Sequence, residues 1–109
     1  IGNWNVSNVT NMELMFYESE FNQPIGNWNV SNVTNMESMF KISEFNQPIG
    51  DWDVSNVTNM KGMFYYSENF NQDLSLWNVD NVVECIQFSS NNTPVWTLPK
   101  PNFTNCNPD

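Results

Sequence analysis

A chain of 109 residues, 39% apolar and 15% aromatic, can build one small domain and carries too much apolar surface for disorder. Its net charge is −9, with Lys41, Lys61 and Lys100 as the only basic side chains, which excludes the basic patch that nucleic acid or an anionic membrane surface requires. No apolar run approaches the roughly 20 residues of a membrane-spanning helix, and the absence of histidine removes the commonest general base.

The chain opens IGNWNVSNVTNM, writes the same twelve residues again from position 25, and continues IGDWDVSNVTNM from position 49. The units are 1–24, 25–48, 49–73 and a degenerate fourth over 74–84, with the first two differing only at Leu14/Ser38, Tyr17/Lys41 and Glu18/Ile42. The third has one extra residue near Asn69, which marks a loop. Because residue 1 falls inside the repeating pattern, the chain reads as a fragment with more repeats upstream.

Within one unit, Trp4 and Val6 alternate with Asn3, Asn5 and Ser7, which predicts a short strand with one apolar face. Val9, Met12, Met15 and Phe16 then fall at helical spacing, and Thr10 with Glu13 matches a capping box, repeated by Thr34 with Glu37. One or two turns of helix, α or 3-10, are expected there. Phe21 is the next anchor, and Asn-Gln-Pro turns the chain back.

A unit of this size cannot bury its own apolar side, so the units are expected to stack. Stacking makes ladders of Trp4, Trp28, Trp52 and Trp77, of Val6, Val30, Val54 and Val79, of Met12, Met36 and Met60, and of Phe21, Phe45 and Phe70. The recurrent Asn8, Asn32, Asn56 and Asn81, and Asn22, Asn46 and Asn71, are expected to bond loop backbone between coils. The fold class expected is an α/β repeat solenoid of leucine-rich-repeat type, with short parallel strands on one face and short helical or 3-10 turns on the other.

Residues 85–109 lose the pattern and read as a C-terminal cap that covers the last coil with Val95, Trp96, Leu98 and Phe103. Cys85 takes the slot of Met12, and its only possible partner in the chain is Cys106. The pair reads as a disulfide made in an oxidising compartment, with two buried thiols as the alternative.

The units FNQPIGNWNVSNVTNMESMF and FNQPIGDWDVSNVTNMKGMF resemble the tandem repeats of BspA-like leucine-rich-repeat bacterial surface proteins. The resemblance covers roughly residues 1–82, and WTLPKPNFTNC is similar to the segment that ends such arrays in some secreted members. It implies export, an extracellular or cell-surface location, and adhesion or partner binding without shared catalytic residues.

The residues themselves agree with a chain that is no enzyme. Each serine lacks an adjacent base, no Gly-rich phosphate loop appears, and no Cys/His cluster has zinc spacing, so neither cofactor nor metal is expected. Asp51 and Asp53 offer a carboxylate pair or a weak calcium site, or simply replace Asn27 and Asn29 in an exposed row. The candidate ligand-binding face is the outer strand face: Asn3, Asn5, Ser7, Asn27, Asn29, Ser31, Asp51, Asp53 and Ser55, with Tyr17, Tyr65 and Tyr66 at one edge. Its expected partner is a host or neighbouring-cell protein or glycan, or another part of the same assembly. A structural stalk is the competing reading, and ice binding a further one.

Overall fold

The computed structural model describes residues 1–89 and 95–109; residues 90–94, part of the expected cap, lie outside the described residues. Each repeat makes one layer, and the layers lie in register on one another: layer 1 spans 1–24, layer 2 25–48, layer 3 49–73, and layer 4 begins at Leu74. The described chain measures 34 × 30 × 21 Å.

The path within a layer is a succession of β-turns. In layer 1, Trp4 N–H donates to Ile1 O at 2.9 Å, Val9 to Val6 O at 3.0 Å, Met15 to Met12 O at 3.3 Å and Tyr17 to Leu14 O at 3.1 Å. The same turns recur at 25–28, 30–33, 36–39 and 38–41 in layer 2. The turn over 12–15 places Leu14 at φ 61°, and its counterparts Ser38, Gly62 and Gln87 have φ 55°, 63° and 58°. A positive φ at the third position is the signature of a type II turn.

This path overturns the expected fold class. Among the described residues there is no helix and no extended strand, only isolated parallel bridges such as Asn11 with Asn35 and Asn35 with Asn59. The chain is therefore not an α/β solenoid: neither the strand at Trp4–Val6 nor the helical turn at Met12–Phe16 forms. The reason is where the amides go. Met12, Leu14, Phe16 and Glu18 donate out of the layer, to the carbonyls of Asn35, Glu37, Met39 and Lys41, at 2.9–3.0 Å. Layer 2 repeats this with Met36, Ser38, Phe40 and Ile42 donating to Asn59, Lys61, Met63 and Tyr65 at 2.8–2.9 Å. A helix would need those amides for its own turns. The expected capping box is replaced by an Asx turn, in which Asn11 Oδ1 accepts Glu13 N–H and Asn35 Oδ1 accepts Glu37 N–H, both at 2.9 Å. Thr34 Oγ instead bonds Thr10 O in the layer before.

Apolar slots fall on their counterparts in the next layer. Ile25, Ile49 and Leu74, Val33, Val57 and Val82, and Met36 and Met60 are all fully buried, and Cys85 continues the methionine column. Trp28, Trp52 and Trp77 form a parallel ring stack with centroids 6.5 Å apart and planes 4° from parallel. Each indole N–H donates to a carbonyl of the layer before, as in Trp52 to Ile25 O at 3.1 Å and Trp77 to Ile49 O at 3.0 Å, so the buried polar atom is satisfied. Two phenylalanine columns, Phe16–Phe40–Phe64 and Phe21–Phe45–Phe70, run alongside. A fully buried side chain of this size contributes about 1.5–3 kcal/mol.

Asparagine ties the layer edges. Asn32, Asn56 and Asn81 Nδ2 donate to Ser7, Ser31 and Ser55 O at 2.7 Å. Asn22 Oδ1 accepts Asn46 N–H, and Asn46 Oδ1 accepts Asn71 N–H, each at 2.9 Å. The glycine at the second position of the turns over 1–4, 25–28 and 49–52 is required by closeness: a Cβ on Gly2, Gly26 or Gly50 would lie 2.7 Å from the carbonyl oxygen of Pro24, Pro48 or Asp73.

Residues 95–109 close the far side. The Trp96 ring meets Phe64 and Phe70 edge-on at 5.3 and 4.8 Å, and Phe103 meets Phe88 at 4.9 Å. The Trp96 indole N–H donates to Gln72 O, Leu74 N–H to Pro99 O, and Asn105 Nδ2 to Asp80 O. Cys85 and Cys106 are joined as a disulfide, 21 residues apart in sequence. Of the residues expected in the cap, Val95 and Leu98 are exposed and Trp96 is buried.

Candidate functional site

The turns over 1–4, 25–28 and 49–52 present Asn3, Asn27 and Asp51 to solvent at the same slot of three successive layers. Two residues on, Asn5, Asn29 and Asp53 form a second exposed row, and Ser7, Ser31 and Ser55 a half-buried third. The expected face is thus brought together, but its three rows do different work.

The second row holds its own turn. Asn5, Asn29 and Asp53 Oδ1 accept the backbone N–H of Ser7, Ser31 and Ser55 at 3.0–3.1 Å. The Ser7 and Ser55 hydroxyls also donate to Asn5 and Asp53 at 2.6 Å. The Ser55 hydroxyl, and then its amide, hold the Asp53 carboxyl below the usual carboxylate range. The third row holds the layers, since its serine carbonyls accept the asparagine side chains described above. Only the first row, Asn3, Asn27 and Asp51, makes no intramolecular side-chain hydrogen bond among the described residues. In layer 4 its slot passes to Leu76, 84% exposed.

Asp51 has a neighbour that the sequence reading missed. It lines a groove of about 350 Å³ with Gly26, Pro48, Gly50, Gln72 and Asp73. The glycines leave this channel bare because the carbonyl oxygens of Pro48 and Asp73 approach Gly26 and Gly50 too closely for a side chain. Asp73 stands where the earlier repeats have Pro24 and Pro48, and that exchange was the signal available in the sequence. Its carboxyl accepts Ser75 N–H at 2.9 Å, and its bonds to Ser75 hold it below the usual range. The carboxylates that share a groove are therefore Asp51 and Asp73, while Asp53 is committed to its turn. Among the described residues no group of three or more His, Cys, Asp or Glu side chains is placed to hold a metal ion.

The tyrosines stand on another edge. Tyr17 and Tyr66 are exposed and Tyr65 is half-buried. The Lys41 ammonium lies 6.0 Å from the Tyr17 ring and 5.7 Å from the Tyr65 ring, a cation–π arrangement across three layers. Hydrogen bonding with Tyr66 first, and its charge second, raise the Tyr65 phenol above its ordinary value.

Chemically, the first row and its groove offer amide and carboxylate groups at fixed spacing on a shallow, open surface. That suits recognition of hydroxyl, amide or cationic groups. Residues 1–96 match the family described as Mycoplasma protein of unknown function, DUF285, and the chain belongs to that family. No curated protein and no solved structure matches the chain.

Proposed function

We propose that this member of the DUF285 family is a BspA-like, non-catalytic binding module that works outside the cell and recognises a protein or glycan surface. The observation that supports this reading is the first row: Asn3, Asn27 and Asp51 are exposed, in register, and among the described residues make no side-chain hydrogen bond that holds the fold. Residues that repeat at fixed spacing without a structural duty are available for a ligand. The Cys85–Cys106 disulfide suits an oxidising compartment. Among the described residues no helix is long and apolar enough to cross a membrane.

The test is a glycan and protein array with wild-type chain, followed by Asn27→Ala and Asp51→Ala. Both variants are expected to lose binding and to keep stability within about 0.5 kcal/mol, as exposed residues without partners do. Asn29→Ala serves as the contrast, because it removes the acceptor of a turn and is expected to cost about 1 kcal/mol. Undiminished ligand binding by both first-row variants, or no bound ligand at all, refutes the assignment and favours a stalk that presents another domain.

A further inference from the structure

The slot of Glu18 is occupied by Ile42 in layer 2 and Tyr66 in layer 3, and all three residues are left-handed, with φ 53°, 54° and 55°. At Glu18 and Ile42 the interlayer ladder imposes this conformation: Glu18 N–H donates to Lys41 O at 3.0 Å and Ile42 N–H to Tyr65 O at 2.9 Å. Glycine or asparagine takes such a φ at little cost, whereas a β-branched residue such as isoleucine is among the least suited. Burial does not compensate, since Ile42 is 42% and Tyr66 45% exposed. Leu14 is also left-handed and 48% exposed, so the backbone alone marks no site; what sets Ile42 and Tyr66 apart is the groove that they share.

Both line a groove of about 370 Å³, with Ser43, Glu44, Glu68 and Asn69. The extra residue of the third repeat falls here: Glu68 and Asn69 make a turn that layer 2 lacks. The walls are thus one aliphatic and one aromatic side chain with two carboxylates, and no basic residue lines the groove. Lys41, next to Ile42 in the chain, holds its ammonium near the rings of Tyr17 and Tyr65, neither of which lines the groove.

We infer that this groove receives a lysine side chain of a partner protein. The tetramethylene stem lies against Ile42 and Tyr66, and Glu44 and Glu68 share the ammonium. Lysine fits because its stem covers apolar surface while its head seeks carboxylates, and its three donors serve two carboxylates from different layers. The chain's net charge of −9 favours approach of a basic partner. The site shares no residue with the groove of Asp51 and Asp73, and the inference stands whether or not that surface binds.

The probe is an octapeptide of alternating lysine and serine, titrated against the intact chain, with its Nε-acetylated form as comparison. Tyr66→Asn and Glu68→Gln are each expected to weaken binding at least five-fold. Glu84→Gln, which removes the same charge elsewhere, and Asp51→Ala are expected to change it less than two-fold. Tyr66→Asn is expected to melt at the wild-type temperature or higher, because asparagine tolerates the left-handed backbone, so its loss of binding is no sign of unfolding. Equal weakening by Glu84→Gln, equal binding of the acetylated peptide, or wild-type affinity of Tyr66→Asn would each overturn the inference.

Discussion

Layers 1 and 2 are nearly the same sequence in two environments. Residues 1–24 and 25–48 differ at three positions, none of them among the slots compared next. Ile1 is 42% exposed and Ile25 0%; Trp4 is 54% exposed and Trp28 4%; Met15 is 37% exposed and Met39 0%. Val9 and Phe21 are half-buried where Val33 and Phe45 are buried. Local pattern is held constant, so the difference comes from neighbours: layer 2 has a layer on each side, and within this chain layer 1 has one. Core membership here is a property of stacking rather than of the unit, which is the behaviour expected of repeat proteins.

The largest test of that comparison is the same substitution in each layer. Trp28→Ala removes a ring packed on Trp52 and Phe16 and is expected to cost about 3–5 kcal/mol. Trp4→Ala is expected to cost under about 1 kcal/mol, because its ring is already half in water. Urea or thermal unfolding of the two variants measures both, and equal costs would break the account by neighbours.

A second pair sharpens it. Gly2 and Gly26 each lie against the last residue of their own layer, and a Cβ on either meets that proline's carbonyl oxygen at 2.7 Å. Gly2→Ala and Gly26→Ala are therefore expected to destabilise alike, by about 1–3 kcal/mol, although one layer is terminal in this chain and the other is not. A milder effect at Gly2 would mean that layer 1 adapts where layer 2 cannot. The smallest effect expected is a gain. Leu14 holds φ 61° in the slot where layer 3 has Gly62, and Leu14→Gly is expected to stabilise by about 0.5–1 kcal/mol in the same unfolding measurement. Loss of stability would show that the half-exposed leucine side chain contributes more than its backbone costs.

Much of the core was legible because apolar identity recurs at fixed spacing. The tryptophan, valine, methionine and phenylalanine slots are buried in the inner layers, and the Asn22 and Asn32 columns bond backbone between layers. The candidate face was legible only as a surface. Alternation marks Asn3 and Asn5 alike as exposed, yet it carries no sign that Asn5 Oδ1 is spent on Ser7 N–H and Asn3 is not. Asp73 escaped notice because it meets Asp51 where the end of layer 3 returns to its start, with the two residues 22 positions apart.

The sequence by itself determined register: which residue lies over which, one repeat later, because every slot must match its own copy. It also determined the partner of Cys85, since Cys106 is the only other cysteine. Only the tertiary structure decided the path between slots. Apolar residues at Met12, Met15 and Phe16 suit a turn of helix and a chain of β-turns equally, because both put them on one side. What separates the two is the destination of the amides at 12, 14, 16 and 18, and the carbonyls that accept them lie 23 residues further on. A helix of one or two turns is marginal alone, since its nucleation cost is repaid by few hydrogen bonds. The next layer offers those same amides a full set of acceptors, and the turns win.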